Sequence, residues 1–202
     1  ARATAAAAGI GFALAAILGT LLAVGLALSR ALERTLYPWV VASQAIPILA
    51  VAPLVAIWVD YGVAQVMVAF VISFFPVVVT GVDGLRSTDP ALTRALRTLG
   101  AGPAWTFRHI TFPGALPALF SGLKMAAVFS VTGAVVAEYV GADRGLGYLT
   151  EFTTAQFRTA QSFAAGALLG VIGAAFFGLV AAAERLALPH RRHSVRPSWR
   201  KR

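Results

Sequence analysis

Apolar residues along this chain fall in long unbroken runs rather than in the stripes of a water-soluble helix. Five runs, residues 5–28, 38–59, 62–82, 117–140 and 162–186, carry few charges. Each reaches the roughly 20 residues that a helix needs to cross a bilayer core. The pattern predicts an all-α, polytopic membrane helical bundle of five spanning helices. Asp60, Tyr61 and Gly62 alone separate the second run from the third, which predicts a tight hairpin with its turn at one membrane face. The longest polar interval, about residues 83–117, lies between the third and fourth runs.

Composition agrees. Of 202 residues 58% are hydrophobic and 12% charged, and the mean hydropathy of +0.78 is too apolar for a soluble domain of this length. The chain therefore reads as a single transmembrane domain over 1–202, with the polar loop at about 83–117 and a basic tail at about 186–202. A formal charge of +9 from 17 Lys+Arg against 8 Asp+Glu raises the question of nucleic acid. The basic residues, however, follow the ends of apolar runs, so topology accounts for them and no nucleic-acid partner is expected. Arg30, Arg34, Arg86, Arg94, Arg97, Arg108 and Arg185, with Arg191, Arg192, Arg196, Arg200, Lys201 and Arg202, fall on one side if the spans alternate. That side is expected to be cytoplasmic, with the C-terminus, and its cationic tail to touch anionic lipid. Arg2, Arg144 and Arg158 fall on the other. Residue 1 is Ala, not Met, and would lie outside, which leads us to expect a further helix upstream.

The polar interval reads DGLRSTDPALTRALRTLGAGPAWTFRHITFPGALP from Asp83 to Pro117. Asp89 suits a helix cap, Pro90 a first helical position, and residues 91–99 are good helix formers. Gly100 and Gly102 break that helix. Pro103 begins a second short one, expected to pass through Trp105 and Arg108 and to stop before Pro113. Two short helices meeting at a glycine turn make a rigid elbow. Leu99, Trp105 and Phe107 are placed to fill a groove on a partner, with Arg94, Arg97 and Arg108 at its rim.

This interval resembles the EAA loop of ABC importer permeases, the binding-protein-dependent inner-membrane components of ATP-driven uptake. The pattern is EAA, three residues, Gly, nine residues, Ile, one residue, Leu, Pro. Arg94, Ala95 and Leu96 stand at its EAA places, Gly100 at the glycine, Ile110 at the isoleucine, Phe112 at the leucine and Pro113 at the proline. Arg94, Leu96 and Phe112 depart from it, and the acidic place is held by an arginine. QAIPILAVAPLVAIWVDYG, from Gln44 to Gly62, and GAVVAEYVGADRGLGYL, from Gly133 to Leu149, resemble the nitrate, sulfonate, taurine and thiamine-precursor branch. The resemblance implies a type I ABC importer permease fold with six spans in full length. It also implies a dimer of permease subunits, homodimeric or with a close homologue, that forms the path. A separate ATP-binding cassette subunit would couple through the elbow, an extracytoplasmic substrate-binding protein would deliver solute, and the location would be the bacterial inner membrane. FFPVVVTGVDGLRSTDP and FSVTGAVVAEYVGA look closer to the thiamine-precursor (pyrimidine) and riboflavin type than to permeases for sulfonate, taurine or nitrate.

Ionisable groups within spans are costly and draw functional attention. Lys124 lies one to two turns into the fourth span, where its amine can snorkel to the cytoplasmic interface. Glu138 lies near the outer end, where water, the next loop, a gate or the path can hold it. Gln44 with Ser43, and Ser73 with Phe74 and Phe75, are further candidates for lining a path. Pro47, Pro53 and Pro76 are candidates for kinks. Gly141, Gly145 and Gly147 with Asp143 and Arg144 read as a turn-rich outer loop suited to meeting a solute-carrying protein. The chain has no Cys; His109, and the pair His190 and His193, have no partners at ligand spacing, so no metal site is expected. No phosphate-binding glycine loop or Ser-His-Asp set is present, so the chain is expected to be no enzyme and to need no cofactor, ATP being hydrolysed on the partner. A secondary transporter without an ATPase is the rival of a different class, and it would need carboxylates at mid-depth.

Overall fold

The structure, a computed structural model, describes residues 1–188; the basic tail with Arg191, Arg192, Arg196, His190 and His193 lies outside the described residues. The chain is helical almost throughout. In order come α1 (Arg2–Leu28), α2 (Arg30–Ala42), a 3-10 turn (Ser43–Ala45), α3 (Ile48–Trp58) and α4 (Tyr61–Arg86). There follow α5 (Pro90–Thr98), α6 (Pro103–Thr106), a π-helical turn (Phe107–Thr111), α7 (Phe112–Glu138), α8 (Leu146–Ala155) and α9 (Thr159–Ala187). Among the described residues four helices are long and apolar enough to cross a membrane, α1, α4, the continuous helix Pro103–Glu138 and α9, and the bent pair Arg30–Ala45 with Ile48–Trp58 makes a fifth if it is one broken span.

Small residues build the core of α1, α4 and α7. In lipid no hydrophobic force presses helices together, so contact depends on how closely backbones approach. Gly133 of α7 faces the backbone of α4: a Cβ there would lie 2.7 Å from the Ala69 Cα and 3.0 Å from the Val68 carbonyl oxygen. Gly11 of α1 meets the other flank of Ala69, and Gly81 of α4 meets Ala23. Gly84 and Gly122 repeat the arrangement between α4 and α7. These pairings make α1 parallel to α4 and α7 antiparallel to both. Around this spine, Ala7, Ala8, Ala69, Val131 and Ala134 form one buried cluster with Phe176 of α9 against it.

The second apolar run does not form the single helix expected over 38–59. It breaks after Ala45, and the arms Arg30–Ala45 and Ile48–Trp58 are bent by 98°. Pro47 is the cause: it lacks the N–H that would continue the ladder, and it stands at φ −61, ψ 115 as the residue that caps α3. The α2 arm packs through Tyr37 and Val40 on α1 and α4. The α3 arm packs through Ile48 and Ala52 on α4 and α7. Pro53 and Pro76 stay inside intact helices. The predicted turn at Asp60 is present, its carbonyl accepting from the N–H groups of Val63 and Ala64 as α4 begins.

The ends of the bundle now have distinct identities. One, the elbow end, gathers the last turns of α1, α4 and α9 with α5 and the start of α6. The opposite end holds the start of α1, the Asp60 turn, the end of α7, and α8. Arg30, Arg34, Arg86, Arg94, Arg97, Arg108 and Arg185 lie at the elbow end, whereas Arg2, Arg144 and Arg158 lie at the other, as the alternation of spans required. At the elbow end Arg86 of α4 pairs with Glu33 of α2.

Candidate functional site

The elbow is assembled from local chemistry. Asp89 caps α5 by accepting from the Ala91 N–H at 2.7 Å, and Pro90 supplies a first turn with no donor to satisfy. At the other end Gly100 adopts φ +87. The Ala101 N–H donates to the Leu96 carbonyl at 3.0 Å and the Gly100 N–H to Arg97 at 3.0 Å, the paired bonds of a Schellman cap. Such a cap needs a left-handed residue, so glycine at 100 has a backbone reason. Gly102, by contrast, sits at φ −73 and caps α6.

None of the α5 residues is buried. Leu92, Ala95, Leu96 and Leu99 recur at helical spacing and form one apolar stripe, with Arg94 and Arg97 beside it. Leu99 is 82% exposed, and Trp105 just across the turn is 48% exposed. Among the described residues, the apolar stripe of this amphipathic helix is left largely exposed.

The second arm differs from the expectation that it stops before Pro113. α6 runs through the π turn into α7, making one 36-residue helix from Pro103 to Glu138. The wide turn carries the chain past the proline: the Phe112 N–H donates to Phe107 rather than one residue nearer, and Pro113 follows in the first turn of α7. Phe107 and Phe112 pack at 6.0 Å between ring centres. Ile110 and Phe112 are half-buried, while Arg94, Ala95 and Pro113 are exposed. His109 is accounted for locally, with Nδ1 3.0 Å from the Trp105 carbonyl and its ring stacked on that indole. Among the described residues no group of His, Cys, Asp and Glu is placed to hold a metal ion.

The structure does not gather the other candidates into one site. Gln44 is exposed on the bend between α2 and α3. Ser73 is fully enclosed, its hydroxyl oxygen without a hydrogen-bond partner. Phe74 is half-buried against Phe70 and the cluster around Val78. Lys124 Nζ donates to Glu184 Oε2 of α9 at 2.8 Å. Glu184 lies near the end of its own helix and sixty residues from its partner, so no local pattern points to the pair. α9 buries only Ala165, Gly173 and Val180, so this pair is its main polar tie near the elbow end. Both side chains remain partly exposed, at 21% and 24%, so the value lies between about 1 kcal/mol for an exposed pair and about 3 for a buried one. Lys124→Glu or Glu184→Lys alone is expected to lower the detergent-melting temperature, and the double reversal to recover most of it; a double reversal no better than the worse single variant counts against the tie.

Glu138 is fully buried. Its Oε2 accepts from the Gly147 N–H at 2.5 Å, in the first turn of α8, and Gln65 Nε2 of α4 donates to its Oε1 at 3.3 Å. Gln65 also donates to the Tyr61 hydroxyl at 2.9 Å, which in turn donates to the Ala137 carbonyl at 3.3 Å. The preceding amide of α8, Leu146 N–H, donates to Thr4 Oγ1 of α1 at 3.0 Å. The turn-rich loop read from the sequence leads into α8, and its glycines fit this carboxylate: a Cβ at Gly145 would collide with Glu138 Cδ, and one at Gly147 would lie 2.9 Å from Oε2.

Comparisons with known proteins agree with this anatomy. The family model described as binding-protein-dependent transport system inner membrane component matches residues 15–188. A formylaminopyrimidine transport permease protein of Halalkalibacterium halodurans is 36% identical over 91% of this chain and 74% of its own length. A riboflavin transport system permease protein of Chloroflexus aurantiacus is 39% identical over 78% of this chain and 59% of its own. A putative aliphatic sulfonates transport permease protein of Bacillus subtilis is 29% identical over 91% and 67%. This chain therefore spans between about three-fifths and three-quarters of these relatives. A chain of the MetNI methionine ABC transporter, solved in inward-facing conformations, superposes with a TM-score of 0.75 over 92% of this chain and 93% of that one, at 19% identity. The helical bundle has the type I ABC importer permease fold, and the chain belongs to the binding-protein-dependent transport system inner-membrane component family.

Proposed function

We propose that this chain is the transmembrane subunit of an ATP-driven importer in the bacterial inner membrane, and that the elbow of α5 and α6 is where a separate ATPase subunit docks. The observation that carries this is the exposed apolar stripe of α5, joined through a Schellman cap to the start of the 36-residue helix that crosses the bundle. A rigid elbow on a continuous helix transmits a displacement, whereas a flexible loop absorbs it. Arg94 stands where the family pattern has an acid, so the contact rests on the stripe and the basic rim rather than on a carboxylate. The bias of arginine to the elbow end supports a cytoplasmic elbow and C-terminus.

A second copy or a close homologue completes the path. Residues 41–47, at the bend between α2 and α3, are all exposed and partly non-helical. Non-helical backbone at membrane depth is tolerated only where protein covers it or water fills a cavity beside it. Gln44 and Ser43 therefore face a partner subunit or the path. For solute, the relatives named for formylaminopyrimidine and riboflavin favour a small heteroaromatic compound over a sulfonate, delivered by a binding protein outside.

The docking test places a charge on the stripe. With the full-length permease and its genomically neighbouring ATPase coexpressed, Leu99→Asp combined with Leu92→Asp is expected to reduce ATPase co-purification at least about tenfold, the loss of two apolar anchors. Undiminished co-purification rejects docking at α5. The solute reading is checked by the thermal shift of the partner binding protein with an aminopyrimidine, riboflavin and taurine; a response to taurine alone excludes the heteroaromatic assignment.

A further inference from the structure

The polar node at the end of the bundle away from the elbow is not needed to bury apolar surface, and a carboxylate enclosed at the end of a membrane helix is a costly way to fill space. Its partners span four helices. Thr4 of α1 and Glu138 of α7 take the Leu146 and Gly147 amides of α8, and Gln65 of α4 donates to the same carboxylate. At the other end of α8, Thr154 and Ser162 share a 2.5 Å hydroxyl contact and the Ser162 hydroxyl donates to the Thr150 carbonyl at 3.1 Å, joining α8 to α9. Glu138 is also the last residue of the continuous helix that begins at the elbow with Pro103. At about 1.5 Å per residue that helix is about 54 Å long, so Glu138 marks the end of the lever opposite the elbow.

Resting on the coupling reading above, we propose that Glu138 is a positioning residue of the transport cycle, whose carboxylate holds the first turn of α8 to α7 so that α8 moves with the lever when the ATPase acts on the elbow. The amides at the start of a helix have no partner within it, and a carboxylate that accepts one also complements the positive end of the helix dipole. The bond joins the two helices through a backbone amide, so α8 is held by its main chain and not by a side chain free to change rotamer. Gly145 and Gly147 leave no Cβ between α8 and the carboxylate, which is what allows the 2.5 Å approach.

The test uses the full-length permease in lipid with its ATPase and binding protein. Because the sequence contains no Cys, cysteines introduced at the exposed positions Met125 of α7 and Phe152 of α8 report their separation by paired spin labels. A second pair, at Ala104 and Leu28, reports on the elbow. In the otherwise unaltered chain the α7–α8 distance is expected to stay narrow with and without ATP while the elbow pair shifts. Glu138→Ala is expected to broaden the α7–α8 distance and to cut solute uptake at least about tenfold, with ATP hydrolysis within about twofold of its starting rate. Glu138→Gln retains an oxygen to accept from Gly147 and is expected to restore both the narrow distance and most of the uptake. Should the alanine variant not fold, Gly147→Ala, which presses a methyl on the carboxylate, is expected to show the same split between uptake and hydrolysis. A narrow distance with preserved uptake in Glu138→Ala, or loss of uptake and hydrolysis together, overturns the proposal. If the elbow pair itself fails to respond to nucleotide, the coupling reading fails; if it responds while α8 moves independently of α7 in the unaltered chain, only this inference fails.

Discussion

A Gly133→Val protein is expected to lose nearly all of its folded, detergent-extractable yield, while Gly25→Ala remains close to the parent. Both glycines lie inside long apolar helices, and nothing in their immediate sequence separates them. In the structure, a Cβ at Gly133 meets main-chain atoms of Ala69 and Val68, which cannot swing aside as a side-chain tip can. A branched side chain must therefore push α7 away from α4, opening a contact in which two backbones meet directly. Overpacking of this kind costs about 1–3 kcal/mol where neighbours can yield, and more where they cannot. The neighbours here are main chain and cannot yield, so the cost is expected to exceed that range and to take up most of a total stability of about 5–15 kcal/mol. Gly25 has no atom within 4 Å of its hypothetical Cβ, so alanine there adds only helix propensity. Size-exclusion profiles and yields of the two variants decide the matter; a monodisperse Gly133→Val protein at parental yield contradicts this packing.

The second large effect is expected at the elbow, and it leaves the bundle intact. Gly100→Val forces a β-branched residue to φ +87, at a cost of about 1–3 kcal/mol. The chain escapes most cheaply by releasing the Schellman cap, which frees the last turn of α5 and moves Leu99 out of the stripe. Because no α5 residue is buried and Gly100 touches nothing beyond its neighbours, melting of the spanning helices is expected to be unchanged. ATPase association and ATP-driven uptake are expected to fall at least about tenfold, the equivalent of about 1.4 kcal/mol of docking free energy. Gly102→Ala is the control, since φ −73 suits any residue; it is expected to be near neutral. Equal behaviour of the two variants sinks the argument that the cap, rather than general looseness, makes the elbow competent.

That contrast shows where sequence reading stopped. From residues 89–113 alone the first arm, the glycine break and the start of the second arm were legible, because caps and prolines act within one or two turns. Two breaking glycines were legible, but not which one carries the left-handed conformation. Pro113 reads as a stop for the second arm, whereas a π turn lets the helix continue past it into the span. Pro47, Pro53 and Pro76 had equal standing as kinks. Only Pro47 breaks its helix, since the arms on either side pack on different parts of the spine and reward the bend.

The solvent of this chain, its apolar runs and the capping chemistry of the elbow are legible from residue order alone. Hydrocarbon thickness sets a length that five apolar runs meet, arginines gather next to the ends of those runs, and capping is a matter of neighbours in the chain. Which face of each helix meets which is set by the packing of helix on helix. A helix that is apolar all round carries no periodic signal of orientation. Lys124 therefore could not be matched to Glu184, nor Glu138 to Gly147, until α9 and α8 were laid against α7. Those long-range polar ties form where small residues let backbones come close enough, and that closeness belongs to pairs of helices, not to any one of them.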